Sequence, residues 1–156
     1  MFKLKIIVVD RTRADFLRAG ETFYLNRLKR YTDLSWMEVK PVKMNKGTPE
    51  AEVRSKEAGA IVKRFHPRDY LVALDRTGTA YDSEGFAGHL EKLSFSRDRL
   101  AFIIGGPLGL SGDLLKQANE VFSLSKLTLT HEMIRLFLLE QLYRAFTIIH
   151  HEKYHK

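Results

Sequence analysis

The chain contains no cysteine, which excludes disulfides, thiolate metal ligands and a cysteine nucleophile. It has no uncharged apolar run of membrane length, and its N-terminal apolar stretch, Leu4 to Val9, is too short for a signal-peptide core. Its glycine-rich loop is not followed by Gly-Lys-Ser/Thr, so it is not a Walker A loop. Gly105, Gly106 and Gly109 are spaced GGxxG and not GxGxxG. No Ser-His-Asp order with a nucleophile elbow supports hydrolase chemistry. Repeats, low-complexity tracts and linkers are also missing. These absences point to one domain over residues 1–156, in the cytoplasm, with no membrane span and no metal. His150, His151 and His155 near the chain end are the only hint of a metal site, and spacing alone gives them no fixed geometry.

What is present is a basic, globular chain. Hydrophobic residues make up 44%, enough for a packed core. Lys plus Arg number 26 against 19 Asp plus Glu, a formal charge of +7, so an anionic partner such as nucleic acid competes with a merely soluble basic surface. Apolar runs and helical spacing alternate along the chain. Strands are expected at Leu4–Val9, Leu34–Val42, Tyr70–Leu74, Leu100–Ile104 and Val121–Leu124. Helices are expected at Asp15–Tyr31, from Thr48-Pro49-Glu50 to about Phe65, at Ser83–Leu93, Gly112–Ala118 and His131–Ile149. The first helix turns Phe16, Ala19, Phe23 and Leu28 inward on this pattern; the second does the same with Ala51, Ala58, Ile61, Val62 and Phe65. Asp75-Arg76-Thr77-Gly78 reads as a turn closing the third strand. Such alternation predicts an α/β fold with a largely parallel sheet.

Residues Arg99 to Arg144 hold the candidate site. A buried strand runs into Gly105-Gly106-Pro107, and a second ends in the polar-small segment Ser123–Thr130. Two such loops side by side present bare backbone groups in the crevice where open α/β sheets bind ligands. The last helix begins after Thr130, a suitable cap, and is apolar around almost its whole circumference. A helix of that kind is buried on two sides, so a homodimer through it is expected. His131 and Arg135 share one helical face, read either as capping and interface bonds or as a site. Glu140 and Arg144 are spaced as an ion pair, which competes with a catalytic Arg144. The tail, His150 to Lys156, is either frayed or a source of stacking and proton-handling groups.

The segments FIIGGPLGLS and LSKLTLTHEMIRLFLLEQLYRAFTIIHHEKYHK, with the KLKIIVVD start and the LVALDRTG turn, resemble the small SPOUT methyltransferases that modify large-subunit ribosomal RNA. The likeness spans the whole chain. It implies a SPOUT α/β domain, its sheet flanked by helices, with a C-terminal deep trefoil knot that general topology rules would reject. It implies an active homodimer, S-adenosylmethionine as cofactor, and methylation at N3 of a pseudouridine in 23S rRNA of the assembled 70S ribosome. By motif it assigns cofactor contacts to Leu74, Gly105, Leu124, Ser125, Lys126, Leu127, Thr128 and Leu129. It assigns catalysis to Arg144, Tyr154 and His155, and substrate contacts to His131 and Arg135, with Arg11 and Arg13 gripping RNA phosphates. Where the pattern can end in arginine this chain has Lys156, a point charge and not a planar fork. The alternatives are a non-catalytic ribosome- or RNA-binding α/β protein and a flavodoxin-like nucleotide-binding regulator.

Overall fold

The computed structural model describes residues 2–156. Its elements are β1 (Lys3–Val9), α1 (Asp15–Leu28), β2 (Asp33–Val39), α2 (Glu50–Val62), β3 (Tyr70–Ala80), α3 (Ser83–Ser96), β4 (Arg99–Ile104), α4 (Gly112–Gln117), β5 (Glu120–Ser123) and α5 (His131–Ile149). The five strands form one sheet in the order β2-β1-β4-β3-β5, and every pairing is parallel. Parallel neighbours need crossover helices, so both faces of the sheet are covered.

Alternation along β1 divides the core between those faces. Leu4, Ile6 and Val8 pack with Phe86, Leu90, Leu138, Leu139 and Leu142, beneath α3 and α5. Ile7 and Val9 pack with Ile61 and Leu114, beneath α2 and α4. Leu138, Leu139 and Leu142 have no exposed surface, each contributing about 1.5–3 kcal/mol of apolar burial. At the amino ends of the strands, buried Asp69 accepts from Lys5 Nζ (2.6 Å), Arg99 Nε (2.9 Å) and the His66 N–H (2.8 Å). The carboxyl ends stay open for the site.

Three local expectations are corrected. In α1 the buried residues are Leu17, Glu21 and Leu28, while Ala19 is exposed and Phe16 and Phe23 are 71% and 46% exposed. Glu21 faces inward because it accepts from the Thr12 hydroxyl (2.8 and 2.7 Å). In α2 the inward set is Val53, Glu57 and Ile61, with Ala51 and Val62 exposed; Pro49 is the N-cap, and no side chain caps it. Asp75 to Gly78 is not a terminal turn. It is a bulge within β3, where Leu74 and Thr79 both pair with Phe122. A Cβ on Gly78 would lie 2.5 Å from the Val121 carbonyl oxygen, so only glycine lets the bulge cross β5.

The last helix keeps its expected span. The Thr130 hydroxyl accepts from the Met133 N–H at 3.2 Å. From β5 at one edge of the sheet, the chain returns beneath its centre to α5, an arrangement compatible with SPOUT threading. Among the described residues no helix is long and apolar enough to cross a membrane, and no group of three or more metal-ligating side chains is assembled.

Candidate functional site

The bulge of β3 and the carboxyl ends of β4 and β5 meet around a cavity of about 320 Å³, a size that suits a small ligand. Leu74 enters from β3 and Gly105 from the end of β4, while Leu124, Ser125, Leu127, Thr128 and Leu129 line it from the loop after β5. Gly105 is buried, and a Cβ there would lie 2.6 Å from the Gly109 backbone carbon. The loop therefore folds tightly on itself, with Gly109 in a left-handed conformation (φ 76°) and its N–H donating to the Gly106 carbonyl at 3.0 Å. The Ser125 hydroxyl accepts from the Leu127 N–H at 3.0 Å, which turns the second loop. That turn leaves Leu127 78% exposed at the cavity wall, an apolar surface free to cover a flat ring. Lys126, grouped with these residues on motif, is exposed and does not line the cavity.

Asp75, Arg76, Pro107, Leu108 and Ile134 also line it. The first four neighbour motif residues in sequence, which is the signal that leads to them. Ile134 lies three residues after His131 on α5, on the same helical face. His131 forms part of the wall; burial, and then the charge of Arg135, push its imidazole pKa below the ordinary value. It is a neutral group there near pH 7.

Arg135 is not at the surface. It has no accessible area, and its guanidinium donates to the Val9 carbonyl (2.5 Å), the Asp10 carbonyl (3.1 Å) and Thr12 Oγ1 (3.0 Å). These bonds hold the β1–α1 loop, where Asp10 sits at φ 69°. Glu132 fastens the same loop by accepting from the Arg13 and Ala14 N–H groups (2.5 and 3.2 Å). A substrate contact by Arg135 is thus replaced by a positioning role: it fixes the segment that presents Arg11 and Arg13.

Arg144, Tyr154 and His155 do come together. Arg144 Nε and Nη2 donate to Glu140 Oε1 (3.1 and 2.6 Å), and its Nη1 lies 3.3 Å from His155 Nδ1. The Tyr154 hydroxyl donates to the same Glu140 oxygen at 3.2 Å, and its ring meets Tyr143 edge-on at 4.8 Å. The expected ion pair and the expected cluster are therefore one object. The hydrogen bond to Glu140 raises the Arg144 pKa against its burial. Burial, a hydrogen bond with Tyr24 and the Glu140 charge push the Tyr154 phenol well above its ordinary range, so it is a neutral donor. The tail is docked: Glu152 accepts from the Tyr31 hydroxyl at 2.8 Å and pairs with Arg30 at 3.2 Å.

This cluster and the cavity lie at opposite ends of α5. His131 and Arg144 are separated by about 20 Å along the axis, at about 1.5 Å per residue. Arg144, Tyr154 and His155 line none of the cavities around the glycine loop.

A parallel sheet with a cavity walled by two loops at its carboxyl ends defines an α/β ligand-binding protein of the open-sheet kind. The family described as "Predicted SPOUT methyltransferase" matches residues 2–155. The chain belongs to this family. It is 40% identical over 160 residues to "Ribosomal RNA large subunit methyltransferase H" of Desulforamulus reducens, covering 100% of both chains. It is 40% identical over 154 residues to the protein of that name from Parabacteroides distasonis, covering 98% of each. Among solved structures it is similar to a probable methylase family protein from Haemophilus influenzae, with a TM-score of 0.56 and 16% identity over 99% of this chain and 71% of that one. That last likeness concerns the fold alone.

Proposed function

We propose that this protein transfers the methyl group of S-adenosylmethionine to N3 of a pseudouridine in 23S rRNA on the assembled 70S ribosome. The observation that carries the reading is the cavity between the Gly105 loop and the 124–129 loop. Its Leu74, Leu127 and Leu129 side chains suit an adenine ring, and Asp75 with the loop's backbone groups suits the polar amino-acid end. The cofactor, when bound, supplies an electrophilic methyl on a sulfonium centre. This chain's task is to orient the base in line with it and let the N3 proton leave.

Arg144, a permanent cation, would hold the base carbonyl or an adjacent phosphate. Tyr154 would position Arg144 by sharing the Glu140 oxygen, and His155 is the side-chain type suited to receive a proton near neutral pH. Since these groups stand about 20 Å from their own cavity, the reading requires a homodimer in which one protomer's tail completes the other's site. Phe16 and Phe23 of α1 and Met133 and Phe137 of α5 are exposed. They lie on two helices that touch where Gly20 meets Leu136, an apolar surface that a second copy would cover. The trefoil threading belongs to the same reading, as does a cytoplasmic location beside the ribosome.

The test incubates the protein and labelled S-adenosylmethionine with 70S ribosomes from a strain lacking the enzyme, then maps the labelled nucleotide. Label on N3 of one 23S pseudouridine is expected. Cofactor binding without any transfer would end the enzymatic reading.

A further inference from the structure

A second cavity, about 330 Å³, adjoins the first. Pro107, Leu108 and His131 line both, so one wall separates them. Val42 and Val53 give the second cavity an apolar lining, and Arg11 and Arg13 also border it. Glu57 of α2 belongs to that lining although it is only 5% exposed. Its carboxyl oxygens lie 3.4 and 3.6 Å from where a Cβ on Gly106 would project, so the group abuts the glycine loop of the first cavity.

A buried carboxyl in an apolar wall is costly and calls for a partner. The backbone N–H of Val42 favours its charged form, which leaves most of its about four lone-pair positions open. Burial raises its pKa, only partly offset by that N–H, and no cation's charge contributes. An acceptor of this kind, beside a cofactor cavity and unneeded for an ion pair, marks a candidate functional group.

Pseudouridine and uridine place N3 identically relative to the ribose. They differ two ring positions from N3, beyond a carbonyl carbon, where uridine carries C5–H and pseudouridine carries N1–H. We propose that Glu57 is the residue that selects pseudouridine: with the base in the second cavity and N3 turned toward the first, its carboxyl accepts the N1–H. This rests on the pseudouridine reading given above. Arg11 and Arg13 then hold flanking phosphates. Uridine would leave the buried acceptor facing a C–H group, an unmet hydrogen bond.

The experiment measures kcat/KM on two kinds of 70S ribosome. One carries pseudouridine at the target; the other, from a strain lacking the pseudouridine synthase, carries uridine. Wild type is compared with Glu57→Gln and Glu57→Leu. In Glu57→Gln the nearby Val42 N–H favours the side-chain oxygen, so the amide NH2 faces the ring, donor against donor. Both variants are expected to lower the pseudouridine-to-uridine ratio about tenfold or more, by loss on pseudouridine. Affinity for S-adenosylmethionine and the melting temperature of Glu57→Gln stay near wild type. An unchanged ratio in Glu57→Gln overturns the proposal whatever Glu57→Leu does, and so does a wild type without preference. A wild type that methylates neither ribosome overturns the functional reading itself.

Discussion

The two ends of α5 do different things with the same residue type. At the N-terminal end Arg135 is fully buried, and its terminal nitrogens donate to the Val9 and Asp10 carbonyls and to Thr12 Oγ1. At the C-terminal end Arg144 is half-buried and held by Glu140, with one nitrogen toward the docked tail. The first shapes a loop; the second is poised at a surface. The contrast teaches that a single protomer holds its cavity and its charged cluster about 20 Å apart along α5, too far for one small ligand to touch both.

The largest expected effect separates structure from chemistry. Arg135→Ala is expected to cost about 3–5 kcal/mol of stability, because it strips a buried charge from its network; urea denaturation measures this. A variant with wild-type stability would break the comparison. Arg144→Ala is expected to leave stability and cofactor affinity nearly intact while slowing methyl transfer about 10²–10³-fold. Mixing it with Gly105→Val, whose Cβ collides with the Gly109 backbone, sharpens the point. Two inactive proteins are expected to regain activity as mixed dimers, and mixtures that stay dead would argue against shared sites.

Phe137→Lys places a charge on the exposed apolar strip of α5. A loss of about 2 kcal/mol in self-association is expected, seen by sedimentation as a shift toward monomer. Tyr31→Phe deletes the hydroxyl that holds Glu152 and is expected to cost about 1 kcal/mol. Faster hydrogen exchange near residues 150–156 would report it, with cofactor binding unaffected.

Acid should distinguish the two ends most gently. The folded His131 binds its proton less readily than in the unfolded chain. Stability therefore falls as pH drops through the unfolded imidazole's range, near 6.5. Affinity for a cationic cofactor is expected to be flat from pH 8 to about 6.5 and to decline below it, by calorimetry. His131→Asn should abolish that decline. Tyr154 holds its proton throughout, so its phenol contributes no change over this range.

Much of this was legible beforehand, for physical reasons. The apolar runs of β1 and β4 are buried on both faces and read as strands. The cap Thr130 acts through a local bond that spacing reveals. The helical faces of α1 and α2 were misread because periodicity assigns every glutamate outward. Glu21 is inside on account of Thr12, and Glu57 on account of a cavity and Val42, partners distant in sequence. The Asp75–Gly78 bulge looked like a turn because its pairing partner is β5, which comes much later in the chain.

Local chemistry along the chain therefore determined the element types, the two loops and the residues that accompany them. Only the tertiary structure decided the strand order, the burial of Arg135, the docking of the tail on Tyr31 and Arg30, and the distance between cavity and cluster. Those outcomes depend on contacts between residues far apart in sequence, whose energies exist only once the chain has closed on itself.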